Sequence, residues 1–293
     1  MNFLSHLING ISLGSIYAII ALGYTMVYGI AKMLNFAHGD IIMVGGFAIF
    51  NAVNMLGLAP LPAIVAGVLT CTALGVTIEF VAYRPLRGAS SLAVLITAIG
   101  VSYLLQNIAL LAFGSNARQF SSVVNVPTLK LAGGRLAISG VTIVTIITSI
   151  IIMIILTTFV NKTRTGQAML AVSEDNGAAT LMGINVNKTI TITFAIGSAL
   201  AAVAGALLCS TYPSLTPYTG SMPGIKAFVA AVFGGIGSIP GAMIGGVLLG
   251  MIENLSKAYI SSQLSDAIVF SVLIVVLVVR PTGILGKKIQ EKV

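Results

Sequence analysis

The sequence predicts an all-α, polytopic helical membrane protein: one transmembrane domain over residues 1–293, about eight spans, and a broken or re-entrant Gly-rich element near 225–252. Three observations carry this. Hydrophobic residues make up 57% of the chain and charged residues 8%, against roughly 45–50% and about 25% in soluble domains. The mean hydropathy is +1.06. Several windows exceed the roughly 18 uncharged apolar residues that cross a bilayer at about 1.5 Å per residue. A transmembrane barrel would instead show alternating segments of about ten residues, and none is visible.

The spans fall near 8–31, 41–57, 61–83, 90–113, 138–160, 190–212, 225–252 and 264–280. MNFLSHLING has no basic leader region or A-x-A-like cleavage site, so it reads as the start of the first span. Pro60 and Pro62 part the second and third spans, and Arg84-Pro85-Leu86-Arg87 ends the third. Pro213, Pro217 and Pro223 fill the loop after the sixth, because proline lacks the amide donor that a helix interior needs.

Lys and Arg set the orientation. With the N-terminus outside, the inner loops hold Lys32, Arg84, Arg87, Lys162, Arg164 and Lys188. The outer loop at 114–137 holds Arg118, Lys130 and Arg135, while Lys226 and Lys257 fall near membrane boundaries. The basic tail, with Arg280, Lys287, Lys288 and Lys292, belongs inside. Eight simple crossings would leave it outside. The motif GGIGSIPG, Gly234 to Gly241, is therefore expected to break 225–252 into two half-helices that enter and return. Its uncharged stretch, 227–252, is too short for two crossings of about 20 residues each.

The net charge of +8 does not form a basic patch with interleaved aromatics, so nucleic acid is excluded as a partner and the lipid bilayer explains the cations. Cys71 and Cys209 lie in apolar stretches and read as packing residues. Two histidines without a carboxylate cluster make no metal site. No Ser-His-Asp, Cys-His or paired-carboxylate arrangement gives catalysis a foothold. No G-x-x-x-x-G-K-[ST] occurs, so the chain lacks the lysine and hydroxyl that would hold phosphates and magnesium; no cofactor is expected on this chain, and if ATP and magnesium power it, partner subunits hold them.

Several residues have two readings. Gly241, Gly245, Gly246 and Gly250 fit close helix packing, and the region of Gly235, Gly237, Ser238 and Pro240 a hinge or pore lining. Asn35-Phe36-Ala37-His38-Gly39-Asp40 joins the first two spans at the inner interface; Asp40 caps the next helix, or His38 and Asp40 serve transport, with Asn35 and His38 candidates for the translocation path or its gate. Glu79 pairs locally with Arg84 or Arg87. Gln106 and Asn107, inside the fourth span, bond a neighbouring helix or face a translocation path. Asp40, Glu79, Glu253 and Asp266 are all placed near span ends, which argues against an ion-coupled secondary transporter or channel.

Charge concentrates in one internal loop, residues 161–188, with Lys162, Arg164, Glu174, Asp175 and Lys188. Ser173-Glu174-Asp175 offers a cap and two acids for a helix start, Ala178, Leu181 and Met182 form an apolar stripe, and Gly183 supplies a stop. The loop thus predicts an amphipathic helix of about nine residues along the inner face. Its stripe rests on lipid or on the protein's underside, or it docks in a groove of another protein.

The segment EDNGAATLMGIN at 174–185 resembles the cytoplasmic coupling loop of ABC-importer permeases, with Asp175 and Asn176 standing where other importer families have alanines. Together with ALGYTMVYGI at 21–30, NFAHGD at 35–40, VAYRP at 81–85, GIKAFVAAVFGGIGSIPGAMIGG at 224–246 and PTGILG at 281–286, the chain is similar to LivH-type permeases of branched-chain amino acid importers. The resemblance implies a bacterial inner-membrane complex with a homologous second permease, two cytoplasmic ATPases and a periplasmic binding protein. It implies ATPase coupling through 166–183, with Gly166, Glu174, Asp175, Ala178, Ala179, Leu181 and Gly183, and a cargo of leucine, isoleucine or valine. Related permeases serve urea, short amides or other amino acids by the same mechanism.

Overall fold

The computed structural model describes residues 2–131 and 136–286; Arg135, Lys287, Lys288 and Lys292, which bore on orientation, lie outside them. The chain runs through α1 (Asn2–Ala31), α2 (His38–Asn54), α3 (Pro60–Ile78), α4 (Ser91–Phe113), α5 (Gly140–Lys162), α6 (Arg164–Glu174), α7 (Asn176–Leu181), α8 (Val186–Thr211), α9 (Ser221–Gly234), α10 (Ile239–Tyr259) and α11 (Ser265–Val279). A π turn, Glu79–Tyr83, and a 3-10 turn, Arg84–Leu86, extend α3. Among the described residues, six helices are long and apolar enough to cross a membrane: α1, α3 with its extension, α4, α5, α8 and α10. The shorter α2, α9 and α11 have 17, 14 and 15 residues. Minor strands close the loops: β1 (Arg118–Gln119) pairs antiparallel with β4 (Ser214–Leu215), and β2 (Leu129–Leu131) with β3 (Leu136–Ile138).

Glycine decides which helices meet. Without a strong hydrophobic drive between helices in lipid, close backbone approach supplies the packing energy. Helix α1 lies antiparallel to α10: a Cβ on Gly250 would come within 2.1 Å of Gly14 N, and one on Gly246 within 2.5 Å of Ala18 Cα. Gly241 and Gly245 lie equally close to Gly234 and Ala230 of α9. Close packing is therefore the use of all four glycines of the two G-x-x-x-G motifs. Replacing Gly250 with Leu is expected to abolish folded protein, because only backbone faces the new side chain. Gly100→Leu, on α4 with nothing within 4 Å, is expected to be tolerated. Yield and thermal unfolding in detergent check the pair; equal tolerance would count against the packing argument.

Helices α1 and α8 run antiparallel at the centre, and their neighbours correspond. Helix α1 packs on α9 and α10, and α8 on α2 and α3. Exchanging α1–α2–α3–α4 with α8–α9–α10–α11 maps one set onto the other, which is an inverted repeat. In each half a long helix is followed by an extended segment, 32–37 or 212–220, that leads back into the bundle to a short helix. Helices α4 and α5 turn most of their apolar surface outward, only 22% of each span being buried.

The expected break at 234–241 exists, at Gly235–Ser238. It does not produce one re-entrant element. Helical structure starts at Ser221 and runs on to Tyr259, so a short α9 precedes an α10 long enough to cross alone. The extra helix turns the chain back before α10. Ile284 N donates to Phe233 O and Leu285 N to Gly234 O, and Gly237 abuts Gly29 near the end of α1. Residues 284–286 thus sit at the opposite end of the bundle from the start of α1.

Candidate functional site

The loop after α5 builds a small platform at the bundle end where α1 finishes. Thr163 ends α5, caps α6 by accepting from Gly166 N at 3.0 Å, and turns the chain sharply. Only glycine fits at 166, since a Cβ there would lie 2.3 Å from Phe159 O. Helix α6 then buries Met169 and Val172 against the core cluster and touches α1 and α8. Asp175 starts the next helix by accepting from Gly177 N at 2.7 Å and Ala178 N at 3.0 Å. Gly183, at φ 80°, ends it in the left-handed region.

The single nine-residue helix expected here is therefore two helices with a corner at Asp175; Glu174 is the exposed last residue of α6, and Asp175 alone is the cap. The apolar stripe does not rest on the protein's underside. Ala178 is exposed, Leu181 is 89% and Met182 82% exposed, and only Ala179 packs inward. A capped turn thus holds the apolar pair outward, away from its own chain.

A second polar site lies deep in the bundle. The starts of α2 and α9 meet there, with Gly220 so close that a Cβ on it would lie 1.8 Å from Gly39 O. His38 packs at Gly23 and edge-on to Tyr24, roughly 12 Å inside the end of α1 at 1.5 Å per residue. The expectation that His38 and Asp40 sit at the inner interface is thus wrong: the extended segment carries them inward, and they are 1% and 2% exposed. Nor is Asp40 the capping residue. Ala37 holds that place, while Asp40 sits in the first turn of α2, complementing its dipole.

Gln106 Nε2 donates to Asp40 Oδ1 at 2.9 Å and lies 3.4 Å from Ser221 Oγ, so α4 ties the two short helices together. Asn107 turns away, donating to Tyr103 O of its own helix on the exposed face. Asn35 is buried and accepts from Tyr83 at 3.0 Å. Gly235, Gly237 and Ser238 lie apart from this site, at the α9–α10 turn. The first two take positive φ, 105° and 93°, and Ser238 caps α10 through Gly241 N. Glu79 is buried and pairs with Arg87, one of the two partners expected.

A buried charge network gave little sign of itself in the sequence. Lys226 of α9 reaches Glu253 of α10 at 2.8 Å and Asp266 of α11 at 2.6 Å. Glu253 also accepts from Lys257 and from Tyr17 Oη of α1. Lys226 is 5% and Glu253 1% exposed, so the bundle encloses both, and the network opens at the end of α10 and the start of α11 through Lys257 and Asp266, whose side chains are 40% and 43% exposed. The usable signal was a lone cation and a lone acid on neighbouring apolar helices. Asp40, at the deep start of α2, departs from the expectation that the acids gather at span ends; Glu253, within the last two turns of α10, does not. Among the described residues no group of His, Cys, Asp and Glu could hold a metal, and both cysteines are buried and free.

The model of the branched-chain amino acid transport system permease component matches residues 6–277. The chain belongs to this permease family. It is 46% identical to the high-affinity branched-chain amino acid transport system permease protein LivH of Salmonella typhimurium, over 99% of this chain and 98% of that one. Identity to BraD of Pseudomonas aeruginosa, described in the same words, is 44% over 100% and 98%. A probable branched-chain amino acid transport permease of Methanocaldococcus jannaschii is 28% identical over 93% and 89%. The permease is thus a multi-pass membrane protein whose family resemblance, read from six short motifs, extends over nearly its whole length.

Proposed function

We propose that this permease forms half of the translocation path of an ATP-driven importer for leucine, isoleucine and valine, with the α6–α7 end in the cytoplasm of a bacterial inner membrane. A homologous second permease supplies the other half. Two ATPases, holding ATP and magnesium, dock on α6–α7, and a periplasmic binding protein delivers cargo at the far end. The observation that carries this reading is the outward apolar pair Leu181 and Met182, seated on a helix corner that touches α1 and α8 through α6. A force applied there reaches both long helices that feed the deep α2–α9 junction. In this reading Asn35, His38 and Gln106 border the path, Asn107 faces away from it, and Gly235, Gly237 and Ser238 form a hinge.

Charge supports the orientation. Lys32, Arg84, Arg87, Lys162, Arg164, Lys188 and Arg280 lie at the α6–α7 end, and Arg118 and Lys130 at the other. The relatives' described cargo supports the substrate class. Purification from native membranes is expected to bring down ATPase subunits, and the reconstituted complex to take up labelled leucine only with ATP and binding protein. Uptake by this chain alone, driven by an ion gradient, would overturn the reading, and a preference for urea or short amides would change the cargo.

A further inference from the structure

A cavity of about 340 Å³ opens at the α6–α7 end, within the range of small-molecule sites. It lies between the segment after α1, the turn leading into α4, and the starts of α7 and α8. Its walls are apolar where Tyr28, Met33, Leu34, Leu86, Val94 and Ile190 line it. Among the described residues its charged lining is Lys32 and Arg87, with no acid. Glu79 lies behind Arg87, fully buried, and is held on its other oxygen by Thr191 at 2.7 Å. Lys32 bears its charge from a backbone at φ 54°, in the left-handed region that a lysine seldom adopts. The first turn of α4, at Ser91, and that of α8, at Val186, add amide donors and the positive ends of two helix dipoles to the rim.

Arg87 is already engaged by Glu79 and Asn187, so Lys32 is the cation left to meet a ligand; with two helix starts and an apolar wall it selects a small carboxylate with an aliphatic tail. Asn176 of α7 completes the lining, so an occupant sits against the platform itself. We propose that this cavity binds the imported amino acid after its release into the cytoplasm, holding α7 against the start of α8 and slowing further import. The proposal rests on the orientation and cargo given above. With no acid among the described lining residues, the carboxylate and the tail are recognised and the ammonium group is dispensable. An anionic lipid headgroup offers the same charge without the branched tail, and is distinguished below.

The test uses the whole importer in vesicles with the ATPases facing outward and binding protein and leucine enclosed. Adding millimolar leucine to the ATPase side is expected to lower ATP hydrolysis at least about fivefold, the scale of ordinary coupling between sites. The corresponding 2-oxo acid, 4-methyl-2-oxopentanoate, should do the same, and leucinamide, which lacks the carboxylate, should not. Lys32→Met, which removes a cation, and Ala89→Trp, which fills the cavity from an exposed lining position, should each relieve the inhibition and leave hydrolysis without added leucine within about twofold. Equal inhibition by leucinamide, inhibition undiminished in both variants, or no inhibition in the wild type would overturn the proposal. Rates that follow phosphatidylglycerol content and ignore leucine would assign the cavity to lipid and overturn it too. If enclosed leucine fails to stimulate hydrolysis at all, the proposed function fails first, so the two failures are separable.

Discussion

Replacing Leu181 and Met182 together with Glu is expected to cut ATP-driven uptake at least about thirtyfold while the permease remains folded and membrane-inserted. Both side chains point away from their own chain, at 89% and 82% exposure, so the change removes no internal packing. In an interface the same two positions are the apolar anchors, and losing such anchors costs about 2 kcal/mol or more, which corresponds to roughly thirtyfold in affinity. The buried carboxylates add a desolvation cost in any apolar groove. Permease abundance, the ATPase recovered by co-purification, and leucine uptake are the three readouts. Normal uptake at normal abundance would remove α7 as the docking element.

The acids beside it separate contact from architecture. Asp175 supports two amides of α7, so Asp175→Ala is expected to cost about 1 kcal/mol of local stability. Asn also caps well, so Asp175→Asn should largely restore function. Glu174→Lys, on an exposed helix end, should act only if a partner's cation meets it. A pattern in which Asn fails and Ala succeeds at 175 would reverse these assignments.

Hydropathy and breakers located the long elements because lipid imposes one length on any helix it surrounds. α2, α3, α4, α5, α8 and α11 lie within a few residues of their expected bounds, and α1 ends where expected. What that rule does not give is depth where a helix starts inside the protein. α2 and α9 begin at the bundle's interior, where Gly39, Gly220 and Gly224 let backbones touch. Depth is then a tertiary property, which is why His38 and Asp40 were placed at an interface. At the platform, Asp175 and Gly183 were legible because capping and left-handed stops are local chemistry. The outward face of Leu181 and Met182 was not, since a stripe of apolar residues reads alike whichever way it points. α6 went unseen because its periodicity is short and interrupted by polar residues, although Met169 and Val172 fix it to the core. The inverted repeat leaves little trace in the sequence because what the two halves share is backbone path.

The buried network at Glu253 yields the second large effect, with an asymmetry specific to its geometry. Glu253 faces Lys226, Lys257 and Tyr17, so Glu253→Leu takes acceptors from two cations and a phenol at once. Lys257, whose side chain is 40% exposed, can turn its ammonium outward. Lys226 cannot, and it retains only Asp266, itself partly exposed. Removing one member of a buried pair costs about 3–5 kcal/mol, because the other charge stays buried. Lys226→Met is expected to cost less, since Glu253 keeps Lys257 and Tyr17. The double variant Lys226→Met/Glu253→Leu should be more stable than Glu253→Leu alone, giving a coupling energy of about 2 kcal/mol in thermal unfolding of the detergent-solubilised permease. Additive losses would show that the two side chains act independently. If the double variant regains stability without uptake, the network's role is to join α9 to α1, α10 and α11 so that the short helix moves with its neighbours. If it regains both, apolar packing is enough to make that connection.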